Sequence, residues 1–204
     1  MLLEAKKLSF RYSRQGPWLL ENLSLSVESR ERLCIFAPSG YGKTTLAMLL
    51  SGYLIPQKGQ ILISGQPLPG SGPHPVQLIC QHPEKAIDPR WRLKRVLEEC
   101  GGMDGETLKA FGIERQWLER FPRELSGGEL QRFCIARAIT AKPKFLICDE
   151  ISTMLDAITQ AQIWKVILDE TEKNSIGLIS ITHNIHLARR ISDHIFDLQK
   201  QEYI

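Results

Sequence analysis

The sequence holds no apolar run near the ~18 to 20 residues that span a bilayer. Residues 1–7 also lack the apolar h-region and cleavage site of a secretory signal. These absences argue against a membrane-spanning or exported chain, and the expectation is a soluble protein that stays inside the cell. Cysteine is scarce: Cys34, Cys80, Cys100, Cys134 and Cys148 are scattered without a C-x-x-C pair. Several lie in apolar runs such as 33–36 and 145–148, the usual setting of reduced cysteine serving as a small core residue. Neither sign of charge dominates. A formal net charge of +3 is too mild to call for a polyanion, so nucleic acid is not an expected partner. The one basic tract, Arg90, Arg92, Lys94 and Arg95, is interleaved with apolar residues and reads as a solvated helix face. Internal repeats and low-complexity tracts are absent. What remains is an ordinary globular composition, 43% hydrophobic and 24% charged over 204 residues, enough for one continuous core and one domain over residues 1–204.

Apolar and polar residues alternate through 2–36, as in Leu23-Ser24-Leu25-Ser26-Val27, and the period of two predicts antiparallel strands in a β-meander. Residues 32–36 form a short apolar strand, 37–42 a loop of small residues, and 43–50 a helix that Gly52 stops. Strand, glycine-rich loop and helix in that order open an α/β nucleotide fold. The proline- and glycine-rich stretch 66–75 predicts a loop, and 76–80 another buried strand. Residues 82–125 change character, with helical apolar spacing around Leu93, Val96, Leu97, Leu108 and Phe111. From Gly127 onward the pattern is helix to 140, strand 145–148, helix 159–170, strand 177–182, helix 185–190 and strand 194–198. Such alternation requires crossovers, hence a parallel sheet.

Three segments carry chemistry. Ala37-Pro38-Ser39-Gly40-Tyr41-Gly42-Lys43-Thr44-Thr45 resembles the phosphate-binding loop G-x-x-x-x-G-K-[ST], with Ala37 in place of the first glycine. Gly40 and Gly42 allow successive N–H groups to face phosphate oxygens, and the helix that follows adds its positive end. Lys43 would reach the terminal phosphates and the Thr44 hydroxyl would ligate Mg²⁺. The second segment is an apolar strand ending in Asp149-Glu150. Strand C-termini are where open parallel sheets bind ligands, and hard carboxylate oxygens suit Mg²⁺, which makes Asp149 a metal ligand. Glu150 would polarise the water that attacks the γ-phosphate. The third is Leu125-Ser126-Gly127-Gly128-Glu129: Ser126 with Glu129 makes a capping box, and the sterically bare helix start behind it is an anion site. His183 and His186 stand too far from cysteine or further carboxylates to suggest zinc.

That third segment is similar to the signature motif of the ABC ATPase family, and the resemblance extends over essentially the whole chain. It implies an α/β P-loop NTPase fold with a mixed or parallel core sheet, an N-terminal antiparallel β-subdomain and an inserted helical subdomain. Residues 1–81 and 141–204 would form the core with the β-subdomain, and 82–140 the helical part. It also implies roles: Tyr12 stacks on adenine, Gln81 is the Q-loop glutamine and a metal ligand, and Thr153-Met154-Leu155-Asp156 is the D-loop. His183 is the switch histidine that contacts the γ-phosphate, and with Glu150 and Lys43 it makes up the implied catalytic set. ATP and Mg²⁺ are the implied cofactors. Residues 125–129 would complete the ATP site of a second nucleotide-binding domain, another copy or a related subunit, in a head-to-tail dimer. Gln81-His82-Pro83, the Ile87-Asp88-Pro89-Arg90-Trp91 stretch and Gln160-Ala161-Gln162 resemble the ATPases of peptide, nickel and opine importers, although Ile151 replaces their usual proline. Permease subunits docking on 82–100 around Trp91, an extracellular substrate-binding protein, and a peripheral place on the cytoplasmic face of the membrane follow from that resemblance. The alternative is a soluble ABC ATPase of a non-transport complex, such as a phosphonate-cleaving assembly.

Overall fold

Strands β1 (Leu2–Phe10) and β2 (Leu20–Glu28) pair antiparallel in a computed structural model that describes every residue except Ser71, Pro73 and Met154. Leu20, Leu23, Leu25 and Val27 of β2 are buried, so alternation along the strand turns one face to the core. The expected meander ends there. β3 (Arg32–Phe36) leaves for a second sheet and leads into α1 (Lys43–Leu50). The physical reason lies in its composition: Leu33, Cys34 and Ile35 are all fully buried, and a strand apolar on both faces belongs inside a covered parallel sheet. The antiparallel sheet is completed instead by β4 (Lys58–Ile63) and β5 (Gln66–Pro67), in the order β2-β1-β4-β5. The expected loop at 66–75 thus begins as an edge strand, a position where proline is tolerated.

The second sheet collects β6 (Val76–Ile79), β7 (Phe145–Asp149), β8 (Gly177–Thr182), β9 (His194–Asp197) and β10 (Glu202–Tyr203). Its order is β10-β9-β3-β8-β7-β6; β10 is antiparallel to β9 and the other neighbours are parallel. β8 therefore lies between β3 and β7, and the C-terminal ends of all three open on the same edge.

Between β6 and β7 the chain is helical but broken into short pieces. α2 (Leu93–Glu98) and α3 (Gly105–Ala110) are joined by Gly101 and Gly102, both at positive φ, and single 3₁₀ turns follow at Arg115–Glu119 and Pro122–Glu124. Leu93, Val96, Leu97, Leu108, Phe111 and Trp117 pack in one core with Phe133 of α4 (Gly127–Thr140). The basic tract does not form one helix face. Asp88 accepts from the Arg90 backbone and guanidinium, which holds Arg90 ahead of α2. Arg92 precedes α2 over the Phe121 ring, and Arg95 lies 3.9 Å from the Trp91 ring centroid. The remaining helices are α5 (Ala157–Lys173) and α6 (Ile185–Ile191). Cys34, Cys134 and Cys148 are buried and all five thiols are free. Burial pushes the Cys34 thiol up to about 11 and that of Cys134 up to about 12, so both stay protonated core groups.

Candidate active site

The loop from Ala37 to Gly42 turns at two glycines. Gly40 has φ 88° and Gly42 φ 84°, a region open to glycine and strained for other residues. A Cβ on Gly42 would also meet Leu19 Cγ at 3.1 Å, a tight contact, so its conformation requires glycine and its surroundings favour it. Ala37 needs no such freedom. It is fully buried in the core shared by the two sheets and α1, its φ is not positive, and its methyl group packs where the family pattern has a hydrogen. Behind the loop, the buried Lys43 donates from Nζ to the carbonyls of Ala37 at 2.8 Å and Pro38 at 2.9 Å.

The same ammonium lies 3.4 Å from Glu150 Oε1, and the other carboxylate oxygen of Glu150, Oε2, lies 3.3 Å from His183 Nδ1. Three strand ends meet in this chain of contacts: Lys43 comes after β3, Glu150 after β7 and His183 after β8. Glu150 takes a φ of 48°, uncommon for a non-glycine residue, and its N–H donates to the Ile181 carbonyl at 3.1 Å, which binds it to the neighbouring strand. Backbone held in this region concentrates at functional sites. Ser39, Gly40, Gly42, Lys43, Thr44, Thr45, Gln81 and Glu150 line an open cavity of about 380 Å³.

Asp149 sits deeper, 3% exposed, with Oδ1 buried and without a hydrogen-bond partner among the described residues. Burial pushes its carboxyl above the ordinary range, against the opposing pull of the Thr44 hydroxyl. An orphaned carboxylate oxygen beside a hydroxyl is a hard-oxygen donor set, and Mg²⁺ fits it. Gln81, after β6, lines the cavity and turns its Nε2 onto Thr153 Oγ1 at 3.4 Å.

A family model described as ABC transporter matches residues 20–153. The chain belongs to the ABC transporter family. It is 31% identical over 211 residues to the nickel import system ATP-binding protein NikE of Staphylococcus aureus (strain N315), covering 97% of this chain and 87% of that relative. Among solved structures, the ATP-binding subunit of an ABC transporter superposes with a TM-score of 0.83 at 25% identity over 97% of this chain and 85% of its own. MJ0796, a bacterial ABC transporter cassette solved as a dimer, matches with a TM-score of 0.81 at 23% identity over 96% and 93% of the two chains. The fold is the P-loop NTPase fold of ABC ATPases, and the chain is an ATP-binding subunit that hydrolyses ATP.

The remaining family landmarks lie outside the cavity. None of residues 125–129 lines it. Ser126 caps α4, its Oγ accepting from Glu129 N at 3.3 Å while Glu129 Oε2 accepts from Ser126 N at 2.7 Å, the reciprocal box expected from sequence. Ser126 and Gly127 are exposed, and among the described residues nothing stands within 4 Å of a Cβ on Gly127. Gly128 instead faces its own D-loop: a Cβ there would lie 3.3 Å from Leu155 Cδ2 and 3.6 Å from Thr159 Cγ2. Asp156 caps α5, accepting from Ile158 N and Thr159 N, each at 3.0 Å. Met154 of the D-loop lies outside the described residues. Tyr12 is 71% exposed, its ring edge-on to Phe10 and its hydroxyl 3.0 Å from Thr45 Oγ1, so a flat aromatic face stands free beside α1.

Sequence reading passed over Ser152. It is 4% exposed, two residues after Glu150, and its Oγ accepts from Gln160 Nε2 at 2.9 Å and from Trp164 Nε1 at 3.0 Å. A serine after an acidic pair carries no pattern of its own; only the spacing of Gln160 on a helix hinted at a partner.

Proposed function

We propose that this chain is the ATP-driven subunit of an importer of the peptide, nickel or metal-opine type, energising separate membrane subunits. The observation that carries the reading is Glu150, held between Lys43 and His183 at the ends of parallel strands. A carboxylate fixed there accepts a proton from a water aimed at the terminal phosphate. Lys43, now folded onto loop carbonyls, exchanges those acceptors for phosphate oxygens. His183 holds the second oxygen of Glu150 and turns the carboxylate toward the cavity. Loop N–H groups and the start of α1 receive the β- and γ-phosphates, and the exposed face of Tyr12 receives adenine. Asp149, Thr44 and Gln81 would hold Mg²⁺, which when bound supplies charge neutralisation at the phosphates.

Residues 125–129 complete the ATP site of a second nucleotide-binding domain. Support comes from the exposure of Ser126 and Gly127, from the open space beside Gly127 among the described residues, and from the absence of 125–129 from the cavity of their own chain. Residues 82–140 form the helical part that passes closure on to the permease, with Trp91 and Arg95 on the docking face. No helix among the described residues is long and apolar enough to cross a membrane, consistent with a peripheral subunit on the cytoplasmic face. The importer reading draws on the 31% identity to NikE, a nickel import protein.

Affinity purification of the tagged chain from its native cells tests this reading. A polytopic permease should co-purify, and deletion of this chain should abolish ATP-dependent uptake of ⁶³Ni²⁺ or of labelled peptide. Recovery of a soluble assembly with no permease would refute the transport role.

A further inference from the structure

The Gln160-Ala161-Gln162 run occupies the first two turns of α5, a helix that no catalytic residue comes from. Successive α-helical residues are about 100° apart, so two glutamines at i and i+2 point in nearly opposite directions. They engage different parts of the site. Gln160 Nε2 donates to Ser152 Oγ at 2.9 Å, on the segment directly after Glu150. Gln162 Oε1 accepts from Arg132 Nη2 at 2.9 Å, on the signature helix α4, and Arg132 also donates to the Phe111 carbonyl at 3.2 Å.

Two further contacts run alongside. The buried Trp164 donates its indole N–H to the same Ser152 oxygen, and Thr159 packs beside Gly128 at the start of α4. Glu150, Ser152, Gln160, Trp164 and His183 also border one cavity of about 180 Å³. One face of α5 therefore holds the segment that carries Glu150, and the opposite face holds the helix that carries Ser126.

We propose that Gln160 and Gln162 are positioning residues that clamp the Glu150–Ser152 segment and the signature helix to α5 as one unit. Nucleotide engaged at Glu150 then shifts the helix start offered to the other subunit, and the reverse. The proposal rests on the function given above. Neither glutamine lines the cavity at the phosphate loop; they act by fixing the register between the two elements that carry Glu150 and Ser126.

Gln160→Leu and Gln162→Leu remove one link each without charge. The Arg132–Gln162 bond lies at the surface, where its loss changes stability little. Each variant should lower kcat by about fivefold or more, the lower end of coupling between sites. The Kd for a fluorescent ATP analogue and the thermal midpoint should stay at wild-type values. Gln162→Glu keeps an acceptor for Arg132 and should retain kcat. Combining the two Leu substitutions should cost little more than the worse of them, because both break one path.

Unchanged kcat in both Leu variants, additive losses, or a Gln162→Glu protein as poor as Gln162→Leu would overturn the clamp. So would a fall in kcat matched by a fall in thermal midpoint. Glu150→Gln measured alongside separates the two levels. Full activity there removes the site reading itself, whereas full activity of the Leu variants beside an inactive Glu150→Gln removes only the clamp.

Discussion

Glu150 and His183 sit at the ends of adjacent parallel strands with Oε2 and Nδ1 3.3 Å apart, while Lys43 lies 3.4 Å from the other oxygen of the same carboxylate. The carboxylate is thereby held at both oxygens by side chains of this chain.

Glu150→Gln should leave ATP binding intact and lower turnover about a hundredfold or more, the usual weight of a positioned proton acceptor. The amide keeps the shape but cannot take the proton. Steady-state ATPase assays together with size-exclusion chromatography in ATP provide the check, and ATP-held dimers should accumulate in the variant.

Ala37→Gly probes the phosphate loop. The methyl is buried and its backbone does not need positive φ, so glycine loosens the unfolded chain and should cost about 0.4–1 kcal/mol of stability. Nucleotide affinity should move by no more than about tenfold, roughly 1.4 kcal/mol. Denaturant melts and nucleotide titration measure the two effects separately. A far larger gain in affinity would mean that the natural loop is poorly formed.

Asp156→Ala removes the cap of α5. Hydrogen bonds from the side chain and backbone of Thr159 hold the Asp156 carboxyl below its usual range. The folded value lies under the unfolded one, so this contribution is full above the unfolded value and fades as pH falls through the folded one. The variant should melt below wild type at neutral pH, and the gap should narrow on acidification. Asp156→Asn, which keeps an acceptor, should lie between them. A gap that does not depend on pH would contradict the assignment.

Ser126→Arg fills the bare start of α4 while leaving Lys43, Thr44, Asp149 and Glu150 untouched. ATP binding by the single chain should survive, and dimer closure with hydrolysis should fail. Mixing it with Lys43→Ala is the sharper trial. In a mixed homodimer one composite site carries both lesions and the other carries neither, so hydrolysis should partly return. Full activity of Ser126→Arg alone would show that α4 completes no ATP site.

Local chemistry made much of this legible in advance. The loop to Lys43, the strand into Asp149-Glu150 and the capping box at Ser126 are each short and contiguous, and each carries its own physical reason for forming. α4 begins at Gly127 as expected, and β8 spans Gly177–Thr182 as its apolar run predicted. Periodicity could not assign β3 to its sheet, because a strand buried on both faces has no alternation to read; its neighbours β8 and β9 come more than a hundred residues later. Nor could it assign Arg90 to a turn, since Asp88 competes there for the backbone N–H that a helix would use.

The sequence by itself determined which groups are available: a lysine on a glycine loop, two carboxylates at a strand end, a bare helix start and a pair of glutamines two residues apart. Only the tertiary structure decided which of them meet. Setting β8 between β3 and β7 brings Lys43, Glu150 and His183 together, and packing α5 against α4 gives Gln160 and Gln162 separate partners. Those contacts span from 8 to 107 residues of chain, Ser152 to Gln160 and Lys43 to Glu150 being the shortest and the longest. Partners at such separations are chosen by how sheets and helices pack around a shared core, a choice no local pattern encodes.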